Sequence, residues 1–173
     1  QMCIRDRTNV YGKLSLEEDV ATIILNHANI ADLALQYGRV TIASHLVGPL
    51  GGTVPQAEAK MAFKGSLATA IAVGDEFGLG KIGVFEVAAM QPHGEVELLL
   101  SAAFPIQKRI DSEAITLAID ATISDGSFQN LPNGTTIEDA NLVANFAKGV
   151  IEISGKAAIA GISGDFSFRS DAL

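Results

Sequence analysis

The sequence has little of what catalytic, metal-binding and nucleic-acid-binding domains rely on. It contains 1 Cys, no Trp and 3 His. A lone cysteine, Cys3, can form neither an intrachain disulfide nor a cysteine-based metal site. The 12 Lys and Arg against 20 Asp and Glu leave a net charge of −8, with no basic block. We therefore expect no nucleic-acid partner, because phosphate binding needs clustered Lys or Arg.

The chain also lacks long apolar runs and a secretory leader pattern, so no membrane-spanning or signal segment is predicted within it. Its 173 residues suit one domain, and 48% hydrophobic residues are enough for a core. Residues 1–7 (QMCIRDR) show no periodicity, and we expect them to be a non-native or unstructured leader. We interpret residues 8–173 as a fragment of a longer protein.

Alternation with a period of two dominates the rest of the chain and predicts a mainly β fold. The clearest run is residues 115–123, which we expect to end at a turn at Asp125-Gly126. Further strands are predicted at residues 142–146, 150–154, 156–160 and 165–168, separated by glycines as in an antiparallel meander. Asn133-Gly134 adds a hairpin signal.

Upstream, residues 9–16, 21–25, 30–35, 39–43 and 57–64 are also predicted to be strands, as is 95–103 further on. Two alanine-rich segments break the pattern. Residues 66–73 and 84–90 each predict a short helix, the second ended by Pro92 and Gly94.

Motifs that carry chemistry are few. Residues 78–83 (GLGKIG) match the dinucleotide-binding pattern GxGxxG, but a Rossmann unit needs a strand that leads directly into the first glycine. Here Asp75 and Glu76 intervene and would face the phosphates, so we favour an ordinary loop. His27, His45 and His93 lack metal-ligand spacing, and adjacent acidic residues on a strand point to opposite faces. We predict no catalytic residue, no metal and no cofactor.

What remains is a set of aliphatic and Phe side chains that alternation places on one face. They either fill a closed sandwich core or line a curved sheet whose face stays partly open to acyl chains. Both readings fit the pattern. In the second reading the residues that face lipid are Ile115, Leu117, Ile119, Ile123, Leu142, Phe146, Ile151, Ile153, Ile159, Phe166 and Phe168.

Several segments resemble the AsmA-like region of the large bacterial TamB/YhdP-type envelope proteins. They are residues 65–70 (GSLATA), 84–97 (VFEVAAMQPHGEVE), 103–106 (AFPI), 137–142 (IEDANL) and 150–164 (VIEISGKAAIAGISG). The last two are similar to that family's recurrent glycine-punctuated strand turns, and the resemblance covers residues 60–170.

The resemblance implies an elongated, curved antiparallel sheet, a taco-like β-groove with one or two short helices. It implies a non-enzymatic module that binds phospholipid acyl chains and carries lipid between inner and outer membranes, which supports envelope integrity. It also implies a periplasmic location, with the inner-membrane anchor in parts of the parent protein outside this chain. The alternative class is a structural or adhesive β-sandwich or solenoid that binds protein partners.

Overall fold

The computed structural model describes residues 7–43, 54–76, 81–82, 85–109, 114–131 and 134–171. Most of them form one antiparallel sheet of nine strands, in the order β1-β2-β3-β4-β7-β8-β9-β10-β11. A separate two-stranded sheet is formed by β5 and β6. The strands are β1 (Arg7–Glu17), β2 (Val20–Ile30), β3 (Leu33–Ala43), β4 (Gln56–Ser66), β5 (Lys81–Ile82), β6 (Phe85–Glu86), β7 (His93–Pro105), β8 (Thr116–Phe128), β9 (Ile137–Ala147), β10 (Val150–Ile159) and β11 (Ile162–Asp171).

The nine-stranded sheet is open, because β1 and β11 lie at opposite edges and are not paired with each other. Strands that follow one another in the sheet are joined antiparallel, as expected for a meander. One tight connection is the turn Lys148-Gly149, where both residues have positive φ, as a two-residue hairpin of matching twist requires. The mainly β fold with an antiparallel sheet is therefore confirmed.

The cross-strand register gives the sheet one apolar face. Residues directly opposite each other in an antiparallel pair lie on the same side of the sheet. Met61 pairs with Leu100, and Leu100 with Ile119. Ile119 in turn pairs with Phe146, and Phe146 with Ile151. The same alternation assigns these side chains to the apolar face: Leu14, Leu16, Ala21, Ile23, Leu25, Leu33, Leu35, Val40, Ile42, Ala57, Ala59, Met61, Phe63, Val96, Leu98, Leu100, Ala102, Phe104, Leu117, Ile119, Ala121, Ile123, Leu142, Ala144, Phe146, Ile151, Ile153, Phe166 and Phe168.

Helix α1 (Leu67–Glu76) follows β4 directly and packs on the apolar face near β4 and β7. Ser66 caps its first turn, since the Thr69 N–H donates to Ser66 Oγ at 3.2 Å. Leu67 is buried in a cluster with Val96, Ile123 and Leu142. The helix thus closes one end of the face, where the core of the molecule lies.

A line of bulges crosses the sheet beside this core. Register shifts occur between β7 and β8, between β8 and β9, and between β9 and β10. Asp125 and Asp139 adopt positive φ of 50° at two of them. Because a bulge bends its strand and increases the local twist, aligned bulges curve the sheet at the end that α1 occupies.

The helix predicted at residues 66–73 is confirmed as α1. The helix predicted at 84–90 is wrong in its first part, because Phe85–Glu86 is a short strand and Val87–Met90 a 3₁₀ turn. Residue 84 lies outside the described residues.

Some predicted boundaries are also wrong. The strand expected over residues 30–35 is divided by the turn Ala31-Asp32, where Ala31 has a φ of 53°. Asp125-Gly126 does not end β8: the left-handed Asp125 forms a bulge and the strand continues to Phe128. The strands expected to break at Gly155 form the single strand β10, because glycine here allows a close approach of β9. Gly164 likewise lies inside β11.

Candidate functional site

The predicted lipid-facing residues are brought together on the apolar face, with two at its margins. Leu117, Ile119, Ile123, Leu142, Phe146, Ile151, Ile153, Phe166 and Phe168 lie in adjacent strands β8 to β11. Ile159 ends β10, opposite Ile137 and Ile162, and is 40% exposed. Ile115 precedes β8 and is 44% exposed, so it stands outside the sheet although the alternation included it.

The other half of the face was missed by the sequence-based list. It is built by β1 to β4 and β7, with Leu25, Val40, Phe63, Leu98 and Phe104 among its side chains. The alternation that would have revealed it is present in β7, where Val96, Leu98 and Leu100 alternate with Glu95, Glu97 and Leu99. In β2 and β3 it was weaker, because bulges interrupt the alternation.

Exposure differs across the apolar face, since Ala57 and Ala59, at the far end of β4 from α1, are buried and the β1 edge is exposed. Val96, beneath the helix, is 1% exposed, whereas Leu14 and Leu16 in β1 are 60% and 73% exposed. Among the described residues, α1 is the element outside the sheet that packs extensively on β4 and β7. Within the described residues the face is therefore a single apolar layer, with α1 packed on one end of it.

No polar anchor was found for a substrate on the apolar face. The described residues contain no buried polar or charged residue and no buried side-chain nitrogen or oxygen without a partner. A ligand bound there would be held by contact area, because oriented hydrogen bonds need polar groups at fixed positions.

The opposite side, here called the polar face, carries cross-strand ion pairs and hydrogen bonds. Lys64 Nζ lies 2.9 Å from Glu97 Oε1, and Asn145 Nδ2 donates to Asp120 Oδ1 at 2.7 Å. The hydrogen bond and charge of Glu97 raise the pKa of Lys64. Because these groups are exposed, their ion pair and hydrogen bond add little to the stability of the fold. Their main effect is to make this side of the sheet the one that meets water.

A shallow depression of about 490 Å³ lies mainly on this polar face. Its charged lining comprises Lys64, Glu97 and Asp120. Each of these three already has a protein partner, since Lys64 pairs with Glu97 and Asp120 accepts from Asn145. The charged groups of the depression are therefore engaged in cross-strand contacts.

Asp32 connects the β2–β3 turn to the start of α1. Hydrogen bonds from the side chains of Thr69 and Ser66 lower the pKa of Asp32 from its usual value. The carboxylate sits near the N-terminal end of the helix, where a negative charge is favourable. This contact of Asp32 with Ser66 and Thr69, here called the polar latch, places the β2–β3 turn beside the first turn of α1.

The described residues show neither a metal cluster nor a membrane-spanning helix. The described residues include no group of three or more His, Cys, Asp or Glu that could hold a metal ion. His27 and His93 are exposed, and His45 lies outside the described residues, as do Gly78, Gly80 and Gly83 of the GxGxxG match. In the part of the chain that is described, no helix has the length and hydropathy to cross a bilayer.

Comparison of the chain with protein-family models, curated proteins and solved structures gives no match. The geometry and chemistry of the two faces are therefore the features that bear on function.

Proposed function

We propose that this chain is a non-enzymatic lipid-binding module, which holds phospholipid acyl chains on its apolar face as part of lipid transport between bacterial inner and outer membranes. The observation that carries the proposal is the open sheet with an apolar central face, on which α1 packs at one end in the described part of the chain. The resemblance to AsmA-like envelope proteins supports the same function and a periplasmic setting.

The energetics favour an acyl chain as the occupant. Each methylene transferred from water to an apolar surface contributes about 0.8 kcal/mol. A row such as Leu100, Ile119 and Phe146 runs across the strands and offers a continuous apolar strip. The charged headgroup would stay in solvent beyond the rim, because the described part of the face has no group to pair with it.

A second candidate is a structural or adhesive module that binds protein partners through its edges. The observation that favours it is edge strand β1, which pairs on one side with β2 and exposes Leu14 and Leu16. Exposed apolar edge strands readily accept another strand. The closed-sandwich form of this candidate needs a second large sheet, which the described residues do not contain.

Native mass spectrometry with lipid extraction tests the proposal, on the chain purified from a bacterial periplasm. The variants are Phe146→Glu on the apolar face of β9 and Val143→Glu on its polar face, where Val143 is already 46% exposed. We expect bound phospholipid in the parent chain and in Val143→Glu, and loss of it in Phe146→Glu.

Phe146→Glu can also unfold the sheet, so Leu14→Glu provides a second test. Leu14 is 60% exposed on the same face, and a charge there leaves folding intact while making the rim polar. Reduced lipid in folded Leu14→Glu supports the proposal. A compact, lipid-free parent chain, or equal lipid in all variants, contradicts it and favours the protein-binding module.

A further inference from the structure

Three cations lie in one cross-strand row on the polar face of the first four strands. Lys13 pairs with Ile24, Ile24 with Arg39, and Arg39 with Lys60. At about 4.8 Å between neighbouring strands, the row spans roughly 14 Å. The fold therefore concentrates positive charge on one surface of a chain whose net charge is −8.

Among the described residues these three cations have no anionic partner, in contrast to two other basic residues of the polar face. Lys64 and Arg169 form ion pairs with Glu97 and Glu152. No such pair within 4.0 Å joins Lys13, Arg39 or Lys60 to another described residue.

Arg39 lies directly opposite Lys60, an arrangement of like charges that destabilises a sheet. Alternation places Glu58 on the same face two residues before Lys60, and Glu17 lines a shallow depression there together with Arg39. An anionic ligand over the row would offset the repulsion between Arg39 and Lys60.

Exposed aromatic and aliphatic side chains flank the row. Tyr11 and Tyr37 are the protein's 2 Tyr. They are 68% and 45% exposed, and Ile24, within the row, is 36% exposed. Strand alternation puts all three on the polar face. Tyrosine favours surfaces where an apolar ring meets a wet, polar boundary, as at a lipid headgroup layer.

We propose that Lys13, Arg39 and Lys60, with Tyr11, Ile24 and Tyr37, form a docking patch for the surface of an anionic phospholipid bilayer. The three cations face lipid phosphates, and the rings and Ile24 enter the headgroup layer. Screening confines the attraction to about 8 Å at physiological salt, so acidic residues far from the row do not cancel it, whereas Glu58 on the same face weakens it. This docking is independent of whether acyl chains occupy the apolar face.

Vesicle co-sedimentation at low and physiological salt tests the patch. The probes are vesicles of phosphatidylcholine with phosphatidylglycerol, and vesicles of phosphatidylcholine alone. Each basic residue near an anionic surface accounts for about a fivefold change in partitioning, so Lys13→Gln/Arg39→Gln/Lys60→Gln should lose more than tenfold. Glu58→Gln should bind more tightly than the parent chain.

Lys156→Gln is the matched control, because it removes one exposed cation from the polar face of β10, outside the patch. It should bind anionic vesicles like the parent chain. Equal binding by the triple variant, equal affinity for neutral vesicles, or a loss in Lys156→Gln as large as in Lys60→Gln overturns the proposal. Loss of retained phospholipid in folded Leu14→Glu reports on the apolar face, and loss of vesicle binding in the triple variant reports on the patch, so the two proposals fail separately.

Discussion

Gly155 provides the sharpest test of the register that creates the apolar face. It lies inside β10 with a φ of +147°, opposite Leu142 of β9 and Phe166 of β11. A Cβ added there would lie 2.9 Å from Leu142 Cα and closer still to the carbonyl oxygen of Asn141. Both obstacles are backbone atoms, which cannot rotate away, so we expect Gly155→Ala to be strongly destabilising.

The size of the effect follows from two costs. A non-glycine residue in a sparsely populated backbone region costs about 1–3 kcal/mol. Forcing an extra carbon into a packed position costs about 1–3 kcal/mol more. Together they remove roughly 2–6 kcal/mol from a stability that is typically about 5–15 kcal/mol. For a chain of this length, each kcal/mol lowers Tm by about 2–4 °C.

Gly164→Ala is the matched control. Gly164 lies in the neighbouring strand β11, and a Cβ there meets nothing within 4 Å. Urea and thermal unfolding followed by far-UV circular dichroism should give near-parental stability for Gly164→Ala and a large loss for Gly155→Ala. If the two variants differ by less than about 0.5 kcal/mol, within the spread of ordinary surface substitutions, the register assigned to β9 and β10 is wrong.

Three further predictions concern the helix end of the sheet. Leu67→Ala should lower the free energy of unfolding by about 2–5 kcal/mol, because Leu67 is 4% exposed; a loss under 1 kcal/mol in urea titrations would contradict the packing of α1. Ala31→Gly should raise the free energy of unfolding by up to about 1 kcal/mol, because Ala31 has a φ of 53° and glycine adopts a positive φ more easily. Unchanged or lower stability in urea titrations would contradict that turn. The lowered pKa of Asp32 means that its latch to Ser66 and Thr69 stabilises the fold above the unfolded carboxyl pKa and is lost as pH falls through the lower, folded pKa. Asp32→Asn should therefore lose less stability on acidification in circular-dichroism titrations, by less than about 1 kcal/mol because the group is exposed, and an unchanged pH profile would contradict the latch.

Local patterns predicted the strand character of the chain and the half of the apolar face that β8 to β11 build. Residues 117–123 and 151–153 alternate between apolar and polar because side chains on a strand point to opposite faces in turn. A short segment shows this pattern whichever strands it pairs with. The helix after Ser66 was also predictable from the sequence, because the segment is rich in alanine and begins with Ser66, whose hydroxyl caps the first turn.

Local patterns failed where long-range pairing decides the conformation of a residue. Asp125-Gly126 has the composition of a turn, yet pairing with β9 turns it into a bulge and carries β8 on to Phe128. The turn at Ala31-Asp32 has no glycine and is imposed by the pairing of β2 with β3. Neither outcome can be read from the residues themselves.

The sequence alone determined that this protein is a sheet with an apolar and a polar side, because alternation is a local property of the chain. Only the tertiary structure decided that the sheet stays open, that α1 covers one end of its apolar face, and that Lys13, Arg39 and Lys60 stand side by side. Those features depend on which strands become neighbours and in what register, and both arise from contacts between residues far apart in the chain.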